Sequence, residues 1–285
     1  MDSRLAAGVA LGAAGMWVLQ CGRGPAAAAK PPAPGHDLRH TRPLPAPAPA
    51  PAASTPAAEV KDPTIVALLP MKHTSVRVPG KNYRTLGDKP LCSWILSTLC
   101  KCKRISKVVV DTDSPLVKEL LERDFPEVMV IDRPPHLLND PPMNEILLYD
   151  TSVVEADFYF QTHVTNPFLK LETIDAALES FLSKYPYEND SLFSVRQWQT
   201  RLYDQLGTAV NHNPNMLLRT QDLPPIYEEN SCMYLFTREC LATRQHRIGT
   251  RPLMHVMADL ESTDIDTEHD FSMAEVLAGI VAGNQ

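Results

Sequence analysis

The chain has 285 residues, 44% hydrophobic and 21% charged, the composition of an ordinary soluble globular protein with room for one large domain or two small ones. Its formal net charge of −7 excludes a general nucleic-acid binder, which needs a basic face to neutralise phosphates. The cysteines, Cys21, Cys92, Cys100, Cys102, Cys232 and Cys240, form no C-x-x-C pair, so zinc-ribbon and thioredoxin-like sites are excluded and free thiols are expected.

Residues 1–23 contain an apolar, Ala-rich run from Leu5 to Leu19, preceded by a single cationic side chain, Arg4. The run is short for a membrane span of about 20 residues. It reads as a targeting or anchor leader for a plastid, a mitochondrion or secretion, with cytoplasmic residence as the alternative. Residues 24–63 are Pro/Ala-rich, including P-L-P-A-P-A-P-A-P-A-A-S. Proline removes donors and alanine buries little, so an extended linker without a core is expected.

An ordered domain is expected over residues 64–285. T-I-V-A-L-L reads as a buried strand. After a loop, Asp88 is placed to cap a helix carrying Leu91, Trp94, Ile95 and Leu99 at helical spacing. K-V-V-V-D-T is the next strand. Ser114-Pro115 opens a second helix, with Ser as cap and Pro in the first turn. E-V-M-V-I-D and D-F-Y-F-Q-T follow as strands, and E-T-I-D-A-A-L-E-S-F-L-S-K-Y as a helix. S-L-F-S-V and C-M-Y-L-F-T are further strands, and F-S-M-A-E-V-L-A-G-I-V-A-G is the terminal helix. Alternating strands and helices predict an α/β domain of three layers, a mostly parallel Rossmann-like sheet covered on both faces. Ligands bind such sheets beyond the carboxyl ends of the strands.

The first strand opens into M-K-H-T-S-V-R-V-P-G-K-N. Lys72, Arg77 and Lys81 concentrate positive charge there, Ser75 adds a hydroxyl, and Gly80 permits close backbone approach. A loop of this kind at a strand end suits a triphosphate, although no Walker motif is present; a solvated basic loop is the alternative. Two acidic pairs have i, i+2 spacing, which in extended chain puts both carboxylates on one side. For Asp111 and Asp113, capping or turn formation is the stronger reading. Asp264 and Asp266 precede the terminal helix, where magnesium binding and helix capping are both open. Gln161, Thr162, His163, Thr165 and Asn166 follow a strand, and His163 alone reads more readily as structural than catalytic. Arg219, Gln221, Asp222, Glu228, Glu229 and Asn230 lie ahead of C-M-Y-L-F-T.

Taken together, these segments resemble one family. P-M-K-H-T-S-V-R-V-P-G-K-N is similar to the nucleotide-binding loop of acylneuraminate cytidylyltransferases. The placement of Arg77 is closer to the enzymes that activate 3-deoxy-manno-octulosonate. T-N-P-F-L, R-T-Q-D-L-P-P-I-Y-E-E-N-S-C-M-Y-L-F and D-I-D-T-E-H-D-F-S-M-A-E resemble later family segments in the family's order. The resemblance implies a dimeric nucleotidyltransferase that uses CTP and Mg²⁺ and joins CMP to the anomeric hydroxyl of an acidic sugar, releasing pyrophosphate. It assigns catalysis to Lys72, Lys81 and Asp266, and nucleotide binding to Lys72, Ser75, Arg77, Lys81, Asn82 and Arg133. It assigns magnesium to Asp264 and Asp266, and the sugar to Gln161, His163, Arg219, Gln221, Glu228 and Asn230.

The departures are specific. The family's R-G-G-S is here Lys72-His73-Thr74-Ser75, without its glycines. Glu228 stands where sialic acid enzymes often carry an Arg for the sugar carboxylate. That requires a different sugar or an Arg from elsewhere, such as Arg201 or Arg219. The competing readings are the same fold with another sugar or nucleoside triphosphate, a degenerate sugar-nucleotide-binding protein, and a glycosyltransferase. The last would place its acid-x-acid motif in mid-chain.

Overall fold

A computed structural model describes residues 63–283. The expected leader (1–23), Cys21 and nearly all of the expected linker (24–63) lie outside the described residues.

The elements run β1 (Ile65–Leu68), β2 (Thr85–Leu86), β3 (Lys89–Pro90), α1 (Leu91–Lys101), β4 (Lys107–Thr112), α2 (Pro115–Asp124), β5 (Met129–Asp132), α3 (Met143–Val153) and β6 (Phe158–Thr162). They continue with α4 (Leu171–Leu182), β7 (Ser191–Trp198), β8 (Ile226–Phe236), α5 (Arg238–Arg244), β9 (Pro252–Val256) and α6 (Glu268–Gly283). A seven-stranded sheet has the order β5-β4-β1-β6-β8-β7-β9. Every pairing is parallel except those of β8, which is antiparallel to both β6 and β7.

The central strands β1, β4 and β6 are buried on both faces because they are apolar at successive positions, not alternate ones. In β1, Ile65 and Ala67 join one core with α1, α2, α4 and α6. Val66 and Leu68 point into the other core, with α3 and α5. The three expected layers are therefore present. Among the described residues, no helix is long and apolar enough to cross a membrane. Cys92, Cys100, Cys102, Cys232 and Cys240 are free thiols.

Local signals explain most boundaries. Ser114 Oγ accepts a hydrogen bond from the Val117 N–H at 3.3 Å, with Pro115 opening α2 as expected. The expected Asp88 cap is corrected: α1 has Pro90 at its N-cap and no side-chain cap. Gly87, at φ +66°, turns the chain between β2 and β3, and Asp88 lies in that turn. The hairpin, α3, α5 and β9 were not legible in the sequence. They are short, and their patterns are broken by Pro or by exposed charge.

Parallel order brings the carboxyl ends of β1, β4, β5 and β6 to one edge. The Leu69 N–H donates to the Val109 carbonyl (2.9 Å) and the Met71 N–H to the Asp111 carbonyl (2.8 Å), so β1 runs on beside β4 before the loop departs. Beyond β9, the Ile265 N–H donates to the Thr165 carbonyl (3.0 Å) and Asn166 Nδ2 to the Thr263 carbonyl (3.1 Å). These bonds fasten the Asp264-Ile265-Asp266 segment to the loop after β6, at that same edge.

Candidate active site

At this edge a cavity of about 590 Å³ opens between the β1 loop, the loop after β6 and the segment ahead of α6. Lys72, Ser75, Arg77, Lys81, Asn82, Arg133, His163, Asp264 and Asp266 all line it. Residues far apart in the chain meet here. Arg77 Nη2 donates to Asp266 Oδ1 at 2.9 Å, and Lys81 Nζ donates to the Ile265 carbonyl at 2.7 Å.

The acidic segment shows why i, i+2 spacing matters. Ile265 is wholly buried in the core, which leaves Asp264 and Asp266 facing the cavity. The capping alternative for Asp266 falls to its neighbours. Asp270 Oδ2 accepts from the Thr267 N–H (2.7 Å), and Thr267 Oγ1 accepts from the Asp270 N–H (3.2 Å). This reciprocal pair caps α6 and frees the Asp266 carboxylate. Asp264 is held above the usual carboxylate range, first by its partial withdrawal from water and then by Asp266. Two hard oxygen donors that repel each other on one cavity wall fit a magnesium ion that takes its remaining ligands from phosphates and water. Among the described residues no group of three or more metal-type side chains clusters, so the protein itself would supply only these two.

The cationic loop is held open by its own hydrogen bonds. Asn82 Nδ2 donates to the Lys72 carbonyl (2.7 Å), and Ser75 Oγ accepts from the Val78 N–H (3.4 Å). The His73 N–H donates to Asp113 Oδ1 at 2.6 Å, so Asp113 ties the loop to the end of β4 where the sequence had suggested a local cap or turn. Gly80 has φ +69°, and a Cβ there would sit 3.0 Å from the Tyr83 ring. Its permissiveness serves the turn against Tyr83. Lys81 is only 13% exposed, and burial lowers its pKa against the pull of Asp266 and Asp264. Lys72 pairs with Asp140 at 2.5 Å.

Beneath the loop, Arg133 Nε donates to Asp111 Oδ1, a pair 5% and 0% exposed. The buried Asp150 of α3 faces this pair. Burial and the Asp111 carboxylate push Asp150 up to about 8, so it carries a proton at neutral pH. Asp111 is thus neither a cap nor a free metal ligand but the anchor of a cavity-lining arginine.

Several residues expected to meet the sugar lie off this cavity. Gln161 is buried behind the cavity wall. Arg219 closes on Asp222 through bonds of 2.7 and 3.1 Å. Gln221 lies exposed, and its carbonyl accepts from Gln199. Glu228 Oε2 accepts from Trp198 Nε1 at 2.6 Å on the outer part of the sheet. Asn230 spans Ser194 (2.5 Å) and Ser262 (3.0 Å). None of these lines the cavity, and neither does Arg201, whose guanidinium bonds the Leu218 carbonyl. Arg219 and Gln221 precede β8, and Glu228 and Asn230 lie in the part of β8 that runs on beyond its pairing with β6. The sequence reading missed Arg247, Ser231 and Asp140, which do line the cavity. An Asn-Asp-Pro turn signal pointed to Asp140; nothing local marked Arg247.

Comparison with known proteins agrees with this geometry. A family model described as cytidylyltransferase matches residues 66–279. The N-acylneuraminate cytidylyltransferase of Streptococcus agalactiae is 27% identical over 215 residues, covering 72% of this chain and 51% of that protein. The chain thus spans about half the length of that relative. The CMP-N,N'-diacetyllegionaminic acid synthase of Legionella pneumophila is 29% identical over 238 residues, covering 75% of this chain and 95% of the other. A structure of CMP:2-keto-3-deoxy-manno-octonic acid synthetase complexed with CTP superposes with a TM-score of 0.58 at 15% identity, over 78% of this chain and 100% of that one. That likeness concerns the fold.

Proposed function

The chain belongs to the cytidylyltransferase family, and from that premise we propose that it transfers CMP from CTP to the anomeric hydroxyl of an acidic sugar, releasing pyrophosphate. The observation that carries the reading is the meeting of Lys72, Arg77 and Lys81 with Asp264 and Asp266 across one cavity. A mere anion site would need the cations alone. A mere metal site would gain nothing from three cations beside it.

In this reading the triphosphate displaces Asp140 from Lys72 and engages Arg77 and Lys81. Asp264 and Asp266 are the residues that would hold a magnesium ion, which when bound would neutralise phosphate charge. The sugar hydroxyl attacks the α-phosphorus and yields its proton to water, the new O–P bond forms, and the α–β bridging bond breaks to release pyrophosphate. No side chain forms a covalent intermediate. The protein contributes positioning and charge neutralisation. Relatives named for N-acylneuraminate, N,N'-diacetyllegionaminic acid and 3-deoxy-manno-octulosonate support an acidic acceptor. A homodimer, and delivery to an organelle or the secretory route by residues 1–23, complete the proposal. Sedimentation and a fluorescent fusion of that leader test these two parts.

The deciding experiment measures pyrophosphate release with each of the four nucleoside triphosphates against ulosonic acids and neutral sugars, with and without magnesium. Magnesium-dependent release with CTP and a ulosonic acid is expected. Silence with every pair would overturn the reading.

A further inference from the structure

Arg247 lies between α5 and β9 and lines the cavity together with His163, Thr165 and Ser231. Its guanidinium stacks over the Tyr234 ring, 3.5 Å from the centroid, and Nη1 donates to Gln161 Oε1 at 2.6 Å. The other arginines of the cavity wall each have a carboxylate: Arg77 has Asp266 and Arg133 has Asp111. Among the described residues Arg247 has none within ion-pair distance. The nearest carboxylate to act on it, Glu229, is taken up by the Tyr234 hydroxyl and makes no ion pair with it, so a guanidinium partly withdrawn from water with an open side toward a cavity calls for an anion.

The bond to Gln161 has a second consequence. An arginine can only donate, so the Gln161 amide must present its oxygen to Arg247 and its NH₂ group the other way. That NH₂ reaches the Thr162 carbonyl (3.0 Å) and His163 Nε2 (3.0 Å). His163 Nε2 must then accept, which places the ring proton on Nδ1 and leaves no room for an imidazolium. Burial first, then the charges of Arg247 and Lys81, hold the His163 pKa down at about 3, in agreement with a neutral ring. With its lone pair occupied, His163 is not the base that takes the sugar hydroxyl proton.

We propose that Arg247 receives the carboxylate of the acidic sugar and, through Gln161, holds His163 as a neutral Nδ1–H donor on the same wall. This rests on the cytidylyltransferase reading. It makes Arg247 the specificity-determining arginine of this chain, in place of the one that Glu228 displaces in sequence. Arg201 and Arg219 are engaged elsewhere.

The test compares wild type, Arg247→Met and Arg247→Lys on N-acetylneuraminic acid and 3-deoxy-manno-octulosonic acid, each as free acid and as 1-carboxamide. Pyrophosphate release gives KM for each sugar and for CTP, and saturation-transfer NMR reads sugar binding without turnover. Arg247→Met should raise KM for the free acid about thirtyfold or more, in line with the loss of a buried charge partner. It should move KM for CTP and for the carboxamide less than about twofold, so that the preference for acid over amide collapses; Arg247→Lys should retain part of it. An equal rise for acid and amide, or no change in either, would overturn the role. If wild type releases no pyrophosphate with any sugar, the cytidylyltransferase reading fails by itself. The acid-against-amide binding difference in NMR then still decides Arg247. Ring ¹⁵N shifts should show His163 as the Nδ1–H tautomer between about pH 5 and 8, where a free histidine titrates. An imidazolium in that range would refute the Gln161 relay.

Discussion

The two chemistries of the cavity wall are built in opposite ways. Around the β1 loop, the groups facing the cavity are paired with each other: Lys72 with Asp140, Arg77 with Asp266, Lys81 with the Ile265 carbonyl. The Lys72 and Arg77 pairs are largely exposed and exchangeable, so a triphosphate and its metal can take either partner at modest cost. Around Arg247 the groups are wired in a single sense, Arg247 to Gln161 to His163, and only an outside anion completes them. The nucleotide region is therefore poised to rearrange, whereas the Arg247 region is organised in advance. That contrast fits a ligand of variable charge on one side and a discriminated acceptor on the other.

The contrast can be broken most sharply at Asp266. Asp266→Asn should lower pyrophosphate release at least about a thousandfold, as for removal of a preorganised charge at the reacting phosphate. Because Thr267 and Asp270 cap α6, its thermal midpoint should move less than about 3 °C. Near-normal turnover would remove the metal role and with it the reason for a rearranging nucleotide region.

The next effect is on stability. Arg133→Leu leaves Asp111 buried without its cation and should cost about 3–5 kcal/mol in urea unfolding. Adding Asp111→Asn should recover more than half of that loss. An additive double variant would mean that Arg133 is not anchored from below.

A smaller effect depends on pH. Asp150 is pushed up to about 8 from an ordinary 3.8, so the folded chain keeps a proton that the unfolded chain releases. The resulting stability is complete below pH 3.8 and is lost as pH rises through about 8. Wild-type thermal midpoints should fall across this window. Those of Asp150→Asn should fall less, so the variant should gain on wild type toward pH 8. Parallel pH profiles would show that Asp150 is already ionised in the fold.

The smallest effect sharpens the comparison. Asp140→Asn frees Lys72 and should lower KM for CTP up to about fivefold, the scale of an exposed ion pair. The gain should fade as added salt screens the pair. A rise in KM would mean that Asp140 serves the nucleotide directly.

What was legible in the sequence depended on local physics. The buried strands β1, β4 and β6, the Ser114 cap and the position of the cationic loop all follow from patterns a few residues long. The pairing of Asp264 with Asp266 on one face follows from extended geometry alone. The resemblance then supplied the family and the nucleotide loop.

Tertiary structure decided the rest. Only the antiparallel insertion of β8 between β6 and β7 shows that Arg219, Gln221, Glu228 and Asn230 lie off the cavity. Only the capping bonds of Thr267 and Asp270 release Asp266 from the helix. Arg247 sits 86 residues from Gln161 in the chain, with no motif around it. Periodicity and caps report a residue's neighbours along the chain. Which unpaired charge faces a cavity is settled by non-local strand pairing, and no local pattern carries that information.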